Sequence, residues 1–119
     1  MTYDSNNIFA KILARQIPAQ VVYENDFALA FHDVAPKASI HALVIPKGSF
    51  RNITHFLSHG APQEITGFWD AVRHTIGTLG LPEKGFRLIT NQGDFGGQEV
   101  PHFHVHLLGG HKLGPMMCE

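Results

Sequence analysis

The clearest periodic pattern of apolar and polar side chains lies near the C-terminus. Between His102 and His106 every second residue is a histidine, and the alternate positions Phe103, Val105 and Leu107 are apolar. A period of two residues indicates a β-strand with different side chains on its two faces. We therefore predict a strand that buries its apolar face and carries three imidazoles on the other.

Four further segments have the apolar and β-branched composition of strands. They cover residues 21–24, 27–32, 40–45 and 85–91. Asn25-Asp26 indicates a tight turn between the first two. The third is almost wholly apolar up to Pro46, so we expect it at the centre of the sheet.

Helical periodicity occurs in two places. The first is a short stripe at residues 8–13, which we expect to be capped by the 4–6 segment and to end at Ile17-Pro18. The second begins at Pro62 and ends at Gly80-Leu81-Pro82, so it predicts a long helix. Its apolar positions are Ile65, Phe68, Trp69, Val72, Ile76 and Leu79.

These elements predict a single α+β domain over residues 1–119, with an antiparallel sheet of about five strands, one long helix and a short N-terminal helix. A chain of 119 residues can bury one core but not two. We expect residues 49–59 to form a short helix with a loop, in which His55 and His59 are surface residues.

Composition narrows the classes of function. The net charge of -1 argues against binding of nucleic acid, which requires a basic surface patch. The sequence contains no apolar run typical of a secretion signal or a membrane span. The single cysteine, Cys118, has no internal disulfide partner, which favours a reducing compartment. We expect a cytoplasmic protein with neither nucleic acid nor membrane as a partner.

The histidine-rich strand follows a glycine-rich segment at residues 93–97. Glycines allow backbone N–H groups to approach an anion closely, and imidazoles hold and pass protons near neutral pH or act as nucleophiles. The combination favours chemistry on a phosphate group.

Two other interpretations of the histidines remain open from the residues alone. They could be polar residues on the exposed face of a sheet. They could also bind a metal, although the outer two of three alternate strand residues lie about 13 Å apart, so at most two could bind one ion. Glu99 and His41 would then be candidate additional ligands.

The segment from His102 to Leu108 resembles the His-φ-His-φ-His-φ-φ signature of the histidine-triad (HIT) superfamily, where φ is apolar. The flanking glycines resemble the branch of nucleotide-binding proteins that hydrolyse purine nucleoside phosphoramidates. The likeness extends from Ile8 to Pro115. It implies a homodimer with a ten-stranded sheet, purine nucleoside monophosphates and their amidates as ligands, and no metal or other cofactor.

The resemblance also implies roles for individual residues. His104 would be the nucleophile, His106 would stabilise the phosphate, the main chain of His102 would orient His104, and His41 would support the triad. Asp33 would bind the ribose, although the residues alone favour a turn-capping role at its position. The remaining nucleotide-binding positions would be Ile8, Phe9, Ile12, Phe31, His32, Val34, Asn91, Gly97, Gln98, Glu99 and Val100.

Two positions depart from the pattern of the animal proteins in this branch. The animal proteins carry serine at the position of Glu99, whereas a glutamate there resembles the bacterial members. An ionised carboxylate at this position would repel phosphate. Pro101 replaces a common aromatic residue. Two alternative functions are a dinucleoside polyphosphate hydrolase and a nucleotide-binding regulator with incidental turnover.

Overall fold

The computed structural model describes residues 2–117. The helices are α1 (Ile8–Leu13), α2 (Ile53–His59), α3 (Pro62–Thr78) and α4 (Gly93–Gly96). The strands are β1 (Val21–Glu24), β2 (Ala28–His32), β3 (Ile40–Pro46), β4 (Arg87–Ile89) and β5 (Val105–Gly109). Cys118 lies outside the described residues.

All five strands form one antiparallel sheet with the order β1-β2-β3-β5-β4. The sheet confirms the predicted α+β fold. β3 is central and every residue in it after Ile40 is buried, which explains its almost wholly apolar sequence. The pairing of Leu43 with His106 joins the central strand to the histidine segment.

One face of the sheet packs against α3. Phe103 and Phe68 contact each other with ring centroids 4.9 Å apart, and Phe56 stacks on Phe103 at 5.0 Å. Val105 and Leu107 are completely buried in the same cluster. The predicted apolar face of the histidine segment is thereby confirmed.

The other face of the sheet packs against α1. Phe9 from this helix joins Leu29, Phe31, Leu43 and Ile45 in a second apolar cluster. Since helices cover both faces, the sheet is the middle layer of the domain. None of the helices in residues 2–117 is long and apolar enough to span a membrane.

The bounds of α1 differ from the prediction. Asn7 is its N-cap, because the Asn7 side chain accepts a hydrogen bond of 2.9 Å from the Ala10 main-chain N–H. The helix ends at Leu13, and Arg15 has a left-handed φ of 61° that stops it before Ile17-Pro18.

Two C-terminal predictions also need correction. The strand that was expected to begin at His102 begins at Val105. The side chain of Thr90 bonds the His104 carbonyl oxygen at 2.7 Å, so a side chain satisfies that group before the sheet ladder begins. The glycine segment is not an open loop but a single helical turn, closed at Gly97 by a left-handed φ of 74°.

Candidate active site

A cleft of about 260 Å³ opens where β3, the start of β5 and the 91–100 segment meet. Its walls are Phe9, Asp33, Ala35, Lys37, His41, Leu43, Asn91, Gly97, Glu99, Val100, His104 and His106. A larger depression of about 780 Å³ around Leu81 and His111 contains none of the triad histidines. The smaller cleft is therefore the candidate active site.

His104 presents an unprotonated ring nitrogen when it is neutral. Its Nδ1 lies 2.7 Å from the carbonyl oxygen of His102, and a carbonyl only accepts, so Nδ1 carries the proton. Nε2 is then a free lone pair, and no group in residues 2–117 hydrogen-bonds to it. Burial lowers the pKa of His104, which favours this neutral form.

His106 presents the complementary group, an N–H donor. The Lys37 main-chain N–H donates to His41 Nδ1 at 3.0 Å, so a neutral His41 carries its proton on Nε2. That Nε2–H donates to His106 Nδ1 at 2.9 Å, which places the His106 proton on Nε2. Burial lowers the pKa of His106 to about 4, and burial also lowers the pKa of His41.

His104 and His106 thus form an acceptor and donor pair. Their ring centroids are 5.0 Å apart and both rings border the cleft. Phe9 contacts the His104 ring edge-on at 4.9 Å and covers it. A neutral nucleophile next to an N–H donor is an arrangement suited to attack on an anionic phosphorus centre.

His102 is completely buried and does not line the cleft, in contrast to the prediction of three imidazoles on one open face. Its Nε2–H donates to the Pro46 carbonyl oxygen at 2.9 Å, so its Nδ1 must accept. The donor is the Tyr3 hydroxyl, at 2.5 Å, which in turn accepts from the Asn7 side-chain amide at 3.0 Å. Burial lowers the pKa of His102 to about 4.

Asp33 has two contacts. Its Oδ1 accepts from the Ala35 main-chain N–H at 2.8 Å, which confirms the turn-capping interpretation. Its Oδ2 lies 3.4 Å from His41 Nε2, and the residue also borders the cleft. A carboxylate in this position remains available to a ligand's hydroxyl groups.

Side-chain amides determine the shape of the 91–100 segment. Asn91 Nδ2 donates to the Gly96 carbonyl oxygen at 2.7 Å, and Gln98 Nε2 donates to those of Arg51 and Val100 at 2.7 and 3.0 Å. The residues of this segment that border the cleft are Asn91, Gly97, Glu99 and Val100. Gln98 does not border it, and its two hydrogen bonds hold the backbone of the segment in place.

The predicted apolar slot is only partly assembled. Phe9 and Val100 reach the cleft, and Phe31 lies behind Phe9 with ring centroids 5.8 Å apart. Ile12 borders a different depression beside Arg15. Ile8, His32 and Val34 are also absent from the walls; Val34 is 91% exposed.

Sequence reasoning missed four residues of this site. Ala35, Lys37 and Leu43 line the cleft, and Tyr3 bonds His102. Leu43 could have been predicted from the sequence, because it lies two residues after His41 in the same strand and its side chain therefore points to the same face. Tyr3 lies 99 positions from its partner, and no local pattern signals such a contact.

One group of donor atoms has the spacing of a metal site. Ligand atoms of Asp33, His41 and His106 lie within 4.8 Å of one another, and Glu99 is not among them. Binding through His41 Nε2 would require its proton to move to Nδ1, where the Lys37 N–H already donates. The hydrogen-bond chain accounts for the cluster better than a cation does.

The fold and the cleft define a class of small α+β proteins in which a five-stranded antiparallel sheet positions neutral histidines beside a cleft. The HIT domain matches residues 14–113, and the chain belongs to the HIT domain family. It is 45% identical over 118 residues to an uncharacterized HIT-like protein of Azospirillum brasilense, covering 99% of this chain and 97% of the relative.

Two further relatives connect the family to activity and structure. The purine nucleoside phosphoramidase of Escherichia coli K12 is 40% identical over 111 residues, covering 93% of this chain and 92% of that enzyme. A HIT family hydrolase from Clostridium thermocellum matches with a TM-score of 0.86 and 37% identity, covering 97% of this chain and 99% of that structure.

Proposed function

We propose that the chain hydrolyses purine nucleoside phosphoramidates, releasing a nucleoside monophosphate and an amine. The observation that carries this proposal is the 2.7 Å bond from His104 Nδ1 to the His102 carbonyl oxygen, which leaves Nε2 unprotonated beside the cleft. The similarity to the E. coli phosphoramidase supports the substrate class.

The proposed reaction has two displacements at phosphorus. In the first, His104 Nε2 forms a bond to phosphorus and the P–N bond breaks, so that the amine leaves with the bonding electron pair and a proton from solvent. In the second, a water oxygen forms a bond to phosphorus and releases a proton to solvent, and the P–Nε2 bond breaks with its electron pair returning to Nε2. The products are the nucleoside monophosphate and neutral His104.

His106 and the backbone of the 91–100 segment would stabilise the phosphate oxygens. The His106 Nε2–H is preorganised as a donor by the chain from Lys37 N–H through His41. His102 acts through its main chain, since its ring is held away from the cleft. No step of this scheme requires a metal.

The nucleoside would lie against the apolar and acidic walls of the cleft. Asp33 is proposed to accept hydrogen bonds from the ribose hydroxyls. Phe9 and Val100 would contact the base, with Phe31 supporting Phe9 from behind. The remaining predicted binding positions do not line the cleft, so they would contact only a nucleotide that extends beyond it. These positions are Ile8, Ile12, His32 and Val34.

We also propose that two copies pair into a homodimer. β4 is an edge strand of the sheet and carries an exposed Leu88, while Trp69 on α3 is 37% exposed. An unpaired edge strand with an exposed apolar side chain is suited to extending a sheet across a two-fold axis, and an exposed aromatic on the long helix is suited to a subunit contact. Sedimentation at micromolar concentration would give the mass of two chains.

The decisive assay uses a fluorogenic adenosine phosphoramidate with wild type and His104→Ala, each with and without a chelator. We expect wild-type turnover to resist the chelator and His104→Ala to retain less than about one part in a thousand, because the covalent route is lost. His59→Ala, on an exposed helix end, is the matched control.

Turnover retained by His104→Ala would refute the nucleophile. Absence of turnover in wild type, with adenosine monophosphate still bound, would replace the hydrolase proposal with the nucleotide-binding regulator. Cleavage of a dinucleoside polyphosphate in preference to every amidate would favour that alternative substrate class.

A further inference from the structure

The charged groups around the cleft are unfavourable for an anion, with one exception. Asp33 and Glu99 line it with carboxylates, and the histidines on its walls have lowered pKa values because they are buried. At neutral pH these imidazoles contribute no full positive charge. Among the cleft walls, Lys37 is the one lysine or arginine.

We propose that Lys37 is a phosphate-binding residue of this cleft, and that its ammonium group makes the site select nucleotide anions over uncharged nucleosides. The inference rests on the proposed function, in that a nucleoside monophosphate is taken as the common ligand. It adds a residue that neither the triad signature nor the nucleotide-binding positions include.

The backbone of Lys37 is fixed to the histidine cluster. Its main-chain N–H donates to His41 Nδ1 at 3.0 Å, and the Asp33 main-chain N–H donates to the His41 carbonyl oxygen at 2.9 Å. The Asp33 side chain closes the intervening turn through the Ala35 N–H. The side chain of Lys37 therefore starts from a defined point on the cleft wall.

The ammonium group of Lys37 is available for a ligand. The ion pairs within residues 2–117 engage other cations, such as Lys47 with Glu24 at 2.7 Å, and none includes Lys37. Because no carboxylate pairs with this ammonium group, it can pair with an incoming anion.

The positive charge of Lys37 acts on two histidines of the cleft, His41 and His106. Its positive charge makes a small contribution to lowering the pKa of His41 and of His106, after burial in both cases and, for His106, after the larger effects of His104 and His41. A field that disfavours protonation of a neighbouring imidazole favours a negative charge at the same place. A phosphate beside His106 would therefore be stabilised by Lys37.

The test measures binding of adenosine monophosphate and of adenosine by calorimetry at low ionic strength. Wild type is compared with Lys37→Gln, Lys37→Arg and Lys84→Gln. The last removes the same charge from the separate, larger depression, so it is the matched control. Circular dichroism confirms that each variant is folded.

We expect Lys37→Gln to weaken adenosine monophosphate binding by about three- to fivefold, the upper part of the range for a solvent-accessible charge pair. Adenosine affinity should be unchanged, Lys37→Arg should retain the preference for the anion, and Lys84→Gln should match wild type. At about 1 M salt the difference between wild type and Lys37→Gln should shrink, because the Debye length falls to about 3 Å.

Three results would overturn the inference: unchanged monophosphate affinity in Lys37→Gln, an equal loss of monophosphate and adenosine affinity, or no monophosphate binding by wild type. Failure of the proposed hydrolysis has a different signature. It is wild-type binding of the monophosphate without turnover of any amidate, and in that case the charge preference of Lys37 is still measured.

Discussion

The hydrogen bond between Tyr3 and His102 gives a direct test of how the histidine segment is held. Tyr3→Phe removes only the hydroxyl and keeps the ring, which contacts the His102 ring edge-on at 5.6 Å. His102 is completely buried and its Nε2–H remains committed to the Pro46 carbonyl oxygen. The variant therefore leaves His102 Nδ1 as a buried acceptor without a donor.

The magnitude follows from that unsatisfied acceptor. Leaving one buried polar group unpaired costs about 1–3 kcal/mol, and for the completely buried His102 we expect the middle of this range, about 2 kcal/mol. Asn7 Nδ2 loses less, because it still donates to the Asp4 carbonyl oxygen at 2.7 Å. For a domain of this size, 2 kcal/mol corresponds to a fall in Tm of about 8 °C.

The assay is urea unfolding followed by circular dichroism, with all proteins at one concentration so that any association affects them equally. Tyr23→Phe is the matched control, because the Tyr23 ring stacks on His74 at 4.7 Å but its hydroxyl makes no hydrogen bond within residues 2–117. We expect the control to lie within about 0.5 kcal/mol of wild type. If Tyr3→Phe were equally stable, the hydrogen bond would not hold the segment.

Two further predictions concern stability. The pKa values of His102 and His106 are lowered from 6.5 to about 4, so between pH 4 and 6.5 the unfolded chain binds more protons than the folded chain. The free energy of unfolding should therefore fall as pH decreases from 6.5 to 4. Urea titrations across this range should show a shallower fall for His106→Gln than for wild type. Gly97→Ala should lower the free energy of unfolding by about 1 kcal/mol, because the φ of Gly97 is 74°. Gly77→Ala, on the open surface of α3, should raise it by up to about 1 kcal/mol. Thermal melts in which both variants shift Tm in the same direction would contradict this reasoning.

The sheet was predictable because local period and burial agree. The alternation of Phe103, Val105 and Leu107 identifies a buried face, and the unbroken apolar run that ends at Pro46 identifies a strand buried on both sides. The bounds were less predictable, because a side-chain bond from Thr90 takes the place of strand pairing at His104.

The candidate site was predictable only where a motif carried the information. The triad histidines have a recognisable spacing, whereas Asp33 was assigned only through the family resemblance. The His104 bond to the His102 carbonyl oxygen agrees with what that resemblance implied. Lys37 and Tyr3 enter through tertiary contacts, which leave no periodic signal. Ile12 lies one helical turn after Phe9, which favours a place in the same wall, but in the structure it borders a different depression.

Asn7 joins a helix cap to the histidine segment, and this makes the N-terminal end of the chain one cooperative unit. α1 has six residues, too few to persist as a helix without docking. The Asn7 side chain caps α1 and also bonds the Tyr3 hydroxyl, while Phe9 of α1 covers His104. Detachment of this segment would uncover His104 and release His102 in one event, so amide exchange in α1 would report directly on the integrity of the candidate site.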